Sequence, residues 1–168
     1  MRDPPPVTRA GTAVVYVLSL FAGLVLEFVQ PPALVAPVWP MWTAVVLAAW
    51  AFNAPRLPNL MCAVVIGCVL DVGLSSVLGQ HALALLVTTY AAARLRERAD
   101  TLPDWQIGVC FVVVWLVNAG ILFLIDRATH HEAAPLLRWG PVLGETVLWP
   151  FVNRFVGRAC PPPPRTLR

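Results

Sequence analysis

Lysine is missing from this 168-residue chain, so all 12 basic residues are arginine. Charge of either sign is scarce: 12% of residues are charged, against about 25% in a soluble domain. So little charge cannot cover a surface that faces water, which excludes an ordinary soluble globular domain. The net charge of +3 is small and points away from nucleic acid as a partner. Compact catalytic signatures are missing as well. The chain has no HExxH, no phosphate loop, no CxxC and no recognisable serine–histidine–aspartate set, so no residue set reads as catalytic and no cofactor or metal is implied. Its four cysteines, Cys62, Cys68, Cys110 and Cys160, have no metal-ligand spacing. Three lie within apolar runs, where cysteine acts as a small hydrophobe.

What remains is hydrophobic. Apolar residues make up 58% of the chain, and its mean hydropathy is +0.72. A helix crossing ~30 Å of hydrocarbon needs ~20 largely apolar residues. Six candidate spans are visible, near residues 13–28, 38–54, 59–72, 79–93, 105–125 and 141–156. Arg2 and Arg9 precede the first run as in a signal peptide, but no small-x-small cleavage site closes it, so it reads as a retained span. With the N-terminus inside, six spans place ten arginines in inner segments and leave only Arg127 and Arg138 outside. An odd number of spans would spoil that partition. Trp39, Trp42 and Trp139 then flank outer span ends and Trp105 an inner one, at headgroup depth. The expected architecture is an all-α, polytopic membrane protein with six transmembrane helices and both termini cytoplasmic. Residues 1–12 form an inner tail, 13–157 the transmembrane domain, and 158–168 a proline-rich inner tail.

Residues 59–93 must then cross twice with 35 residues, fewer than the ~40 that two full spans need. A rise of ~1.5 Å per residue puts Asp71 ~18 Å along the third span. The turn over 73–80 is therefore expected to sink below the outer headgroups. Lipid satisfies no backbone N–H or C=O, so the other helices are expected to wrap that turn.

Asp71 is the foremost candidate residue. A carboxylate within a membrane helix costs ~2.5–3.5 kcal/mol on insertion scales and needs a partner or a proton. It serves either as a partner, relay or ligand site, or as an anchor accepting bonds from Ser75, Ser76 or turn amides; the anchor is preferred. Gly67, Gly73 and Gly79 allow close helix approach. Glu27, Asp71, Gln80, His81 and Glu145 would make a cation or polar-ligand site if they converged, which spacing alone does not establish. Glu145 also suits the N-terminal region of the sixth helix. Trp149-Pro150 interrupts the sixth span and should kink it, shaping a groove for a partner helix or merely fitting the packing. His130-His131-Glu132 is a poor metal site, because adjacent residues do not share a helix face. Arg94, Arg96 and Arg98 read as a basic inner edge against anionic lipid. The proline runs Pro4–Pro6 and Pro161–Pro164 read as extended ends.

Several segments, in this order, resemble one family. They are Pro37-Val-Trp-Pro-Met-Trp42, Trp50-Ala-Phe-Asn-Ala-Pro55-Arg56, Gly67-Cys-Val-Leu-Asp71-Val-Gly-Leu-Ser-Ser-Val-Leu-Gly79-Gln-His-Ala-Leu83 and Val147-Leu-Trp-Pro150. The chain resembles, from about Phe21 to Phe155, the MreD family of rod shape-determining proteins. That resemblance implies a non-enzymatic inner-membrane scaffold. It would bind MreC and work with RodA, PBP2 and the MreB filament system in lateral peptidoglycan synthesis and rod-shape maintenance. The family in turn resembles the substrate-binding membrane subunits of energy-coupling-factor transporters. This implies, as the alternative, a small-molecule binding or transport subunit with a pocket opening outward.

Overall fold

The computed structural model describes residues 9–54, 57, 59–129 and 139–160. Among these there are six α-helices and no strand. They are α1 (Arg9–Phe28), α2 (Trp42–Asn53), α3 (Asn59–Gly73), α4 (Gln80–Arg96), α5 (Asp104–Ala128) and α6 (Gly140–Ala159). His130-His131-Glu132, Arg138 and both proline runs lie outside the described residues. By length and apolarity alone, two helices are long enough to cross a membrane, α1 from Gly11 and α5. The apolar α3 is shorter.

The bundle is organised around its shortest helix. Every residue of α2 from Thr43 to Phe52 is buried, so α2 is enclosed on all sides, and it packs against α1, α3, α4 and α6. Its sequence is apolar all round, with no polar face to turn outward, as a central helix requires. At 12 residues it is only ~18 Å long. The span expected over 38–54 therefore needs correction: Ala36–Val38 is a separate 3-10 turn, and Trp39 is extended. The cause is Pro40, which pushes the preceding residue out of the helical region. The break is roofed by α6. A Cβ on Gly140 or Gly144 would collide with the carbonyl oxygen of Pro37 or Val38, so both positions need the missing side chain.

The bounds of the remaining helices lie within a few residues of the expected spans. The sixth helix is assigned as one element from Gly140 to Ala159, with Pro150, the position of the expected kink, inside it. Pro150 has no N–H to give the Thr146 carbonyl, yet the helix continues for more than two turns. Apolar side chains cover the outside of the bundle. On α1 the exposed set includes Val14, Val17, Leu18, Phe21 and Val25, and on α6 it is Leu143, Val147, Phe151 and Phe155. Recurrence every three or four residues makes each set one continuous stripe on its helix. These faces suit lipid or another apolar helix, not water.

Candidate functional site

The α3–α4 turn is held by Asp71. Its side chain is fully buried, and its Oδ1 accepts from Ser76 Oγ at 3.0 Å and from the His81 backbone N–H at 2.9 Å. Oδ2 accepts from the Gly79 N–H at 2.7 Å. His81 Nδ1 lies 2.8 Å from Oδ1. The Asp71 carbonyl also takes the Ser76 N–H at 3.0 Å. The α4 N-cap is Gly79, which has no side chain to cap with. Asp71 therefore caps α4 from a neighbouring helix, satisfying donors that a helix start leaves open. A negative group there also suits the helix dipole.

This capping replaces the wrapping expected for the turn. Leu74, Ser75 and Leu78 are exposed, not covered by other helices. Six of the N–H groups from Leu74 to His81 are satisfied from within the hairpin: Leu74 by Leu70, Ser75 by Val72, Gln80 by Val77, and Ser76, Gly79 and His81 by Asp71. Ser75 makes no bond to Asp71. It takes a left-handed backbone at φ 54°.

The three candidate glycines serve three different ends. Gly67 sits where α3 crosses α4, and a Cβ there would fall on the Ala82 backbone. Gly73 lies under the Phe28 ring at the end of α1. Gly79 has φ +96°, which any other residue would adopt at a cost.

Glu27, Gln80, His81 and Glu145 come together with Asp126 around a cleft of about 510 Å³ at the turn end of the bundle. Asp71 does not line it; Ser76 and His81, both bonded to Asp71, do. Gln80 Nε2 donates to Asp126 Oδ1 at 2.7 Å, tying α4 to α5. Glu145 Oε1 accepts from the Met41 N–H at 3.4 Å, tying α6 to the start of α2. Glu27 Oε2 accepts from Thr43 Oγ1 at 3.3 Å and from the Thr43 N–H at 3.4 Å. Beneath, Asn118 Oδ1 accepts from Thr88 Oγ1 at 3.2 Å, and Asn118 Nδ2 reaches Met41 Sδ at 3.5 Å.

Trp149 and Pro150 are elsewhere. They line a second cleft of about 840 Å³ between α5 and α6 at the opposite end. Its floor is an aromatic cluster. Trp149 stacks on Phe111 with centroids 3.5 Å apart and meets Phe52 and Trp115 edge-on, each at 5.9 Å. Its rim includes Asn153, Arg154, Gly157, Arg158 and Asp104. Nearby, the Arg96 guanidinium lies 5.7 Å from the Phe52 ring centre. Arg94 pairs with Glu97 at 2.7 Å on the surface.

Asn118 and Asp126 belong among the site residues although sequence reasoning passed over them. A signal was present: Phe111, Trp115, Asn118, Ala119 and Asp126, all buried, recur at helical spacing on one face of α5. Polar residues on the inward stripe of an otherwise apolar helix mark a lined cavity. Chemically, both oxygens of the buried Asp71 side chain are engaged by its own turn. Glu27, Asp126 and Glu145 are spread around the first cleft, and among the described residues no set of three or more His, Cys, Asp or Glu side chains is placed to hold a metal ion.

A family model described as rod shape-determining protein MreD matches residues 8–158. The rod shape-determining protein MreD of Haemophilus influenzae is 27% identical over 140 residues, covering 81% of this chain and 85% of that protein. No solved structure matches. The match runs from the start of α1 to the end of α6, through the Asp71 hairpin and both clefts, and the chain belongs to the MreD family of rod shape-determining proteins.

Proposed function

We propose that this protein is a non-enzymatic scaffold in the bacterial inner membrane, with six spans and both termini cytoplasmic. It binds the transmembrane helix of MreC and helps to organise RodA, PBP2 and the MreB filament system for lateral peptidoglycan synthesis and rod shape. Membership of a rod shape-determining family supports the role. The arginine distribution supports the orientation.

One observation carries the placement of the docking site. The exposed stripe Leu143, Val147, Phe151 and Phe155 on α6 runs beside the open α5–α6 cleft, whose floor is Phe111, Trp115 and Trp149. A cleft beside an apolar ridge gives a partner helix both a groove and a neighbour to pack against. The mechanism is shape matching along that face. Interhelical polar contacts in membranes average only ~0.6 kcal/mol, so specificity rests on extended van der Waals contact. The hairpin, with exposed Leu74 and Leu78, is the second surface to examine.

Co-purification of MreC from solubilised membranes tests the reading. Val147→Trp combined with Phe151→Ala should cut the recovered MreC about tenfold, equivalent to ~1.4 kcal/mol, while the variant stays in the membrane at normal abundance. Undiminished recovery, with Leu74 and Leu78 also changed, would remove the docking site from both surfaces. No recovery with the wild-type chain would contradict the scaffold role itself.

A further inference from the structure

The cleft at the turn end has features that helix packing does not require. Glu145 is 1% exposed and Gln80 3% exposed, and both line it. Glu145 Oε2 and Gln80 Oε1 have no hydrogen-bond partner in the protein. Trp39 lines the same cleft. A buried acceptor without a donor is destabilising, and more so when it is charged. Protonating Glu145 does not remove the cost, because the O–H at Oε2 would then be a buried donor without an acceptor. Moreover, the described residues lining the cleft include three carboxylates, Glu27, Asp126 and Glu145, and no arginine.

These features select a ligand class. An anion is excluded by the carboxylates. A bare metal ion fits poorly, because no three acidic, histidine or cysteine groups are close enough together to share one. An organic cation fits, since an ammonium or guanidinium group carries several N–H donors that point in different directions and can answer separate acceptors. A volume of about 510 Å³ lies in the range of small-molecule sites. Trp39 supplies an aromatic wall of the kind that favours ammonium and guanidinium groups. We propose that this cleft binds a small organic cation, a primary ammonium or guanidinium compound. Glu145 and Glu27 are the counter-charges and Gln80 Oε1 is the neutral acceptor. The site does not depend on which proteins dock at α6, because Glu145 is on the buried side of that helix, whereas Leu143, Val147, Phe151 and Phe155 are exposed.

Thermal unfolding of the purified full chain in detergent, followed by tryptophan fluorescence, tests the proposal. The probes are cadaverine and agmatine, compared with 1,5-pentanediol, glutarate and sodium chloride at matched ionic strength. A ligand at a hundred times its Kd should raise Tm by about 5–10 °C. Cadaverine or agmatine should do so, and the neutral, anionic and salt controls should not. Glu145→Gln should abolish the shift, whereas Asp104→Asn, a carboxylate at the opposite end, should keep it. If Glu145→Gln does not fold, Leu122→Trp decides, since it narrows the cleft without touching a carboxylate and should abolish the shift. No shift with either amine overturns the proposal. So does an equal shift with the diol, or one that survives both Glu145→Gln and Leu122→Trp.

Discussion

Replacing Asp71 by alanine should destabilise the protein by about 3–5 kcal/mol. The magnitude follows from what the carboxylate holds. It accepts the Gly79 and His81 backbone N–H groups at 2.7 and 2.9 Å and the Ser76 hydroxyl at 3.0 Å. Each buried donor left without its acceptor costs ~1–3 kcal/mol, and bonds to a charged group lie at the upper end. The exposed side of the turn lets water reach part of the loss, which keeps the total below the full sum. Asp71→Asn keeps the shape but turns one acceptor into an NH2 group facing a donor. Its cost should be smaller, ~1–3 kcal/mol. His81→Phe removes the ring nitrogen while leaving both backbone bonds, and should cost only ~1 kcal/mol. Reversible unfolding in mixed micelles, read by tryptophan fluorescence, ranks the three. Asp71→Ala within ~1 kcal/mol of wild type would refute the capping argument. So would His81→Phe proving as damaging as Asp71→Ala.

Two further substitutions probe the packing. Gly67→Ala puts a methyl group onto the Ala82 backbone and should cost ~1–3 kcal/mol by overpacking, measured as a lowered Tm; no change would mean that α3 and α4 do not cross there. Trp149→Ala removes the ring stacked on Phe111 and should cost ~3–5 kcal/mol, with loss of near-ultraviolet circular dichroism from the aromatic cluster; an unchanged spectrum would contradict that cluster.

The helices were legible because each is a long apolar run bounded by proline, glycine or charge. Asp71 was legible too, since a carboxylate followed by two glycines and two serines offers a turn its own acceptor. Two things were not. The span over 38–54 looked long enough to cross, and its shortening to Trp42–Asn53 depends on Pro40 together with the fit of Gly140 and Gly144 over the break. Hydropathy does not register such a contact, made about 100 residues away in sequence. The wrapping of the turn was misjudged because apolar context was counted, whereas Asp71 alone supplies acceptors for two of its amides. The convergence of Glu27, Gln80, His81 and Glu145 needs three helix ends to meet at one level. No spacing along one chain specifies that meeting.

The central claim is that a partner helix docks along α6 beside the α5–α6 cleft. A photo-crosslinking residue placed at Phe151 in living cells tests it most directly, with the same residue at Val65 on the exposed face of α3 as control. The account predicts a crosslink to MreC from position 151 and none from position 65. Crosslinking from 65 with none from 151, or no protein adduct from either, would contradict it.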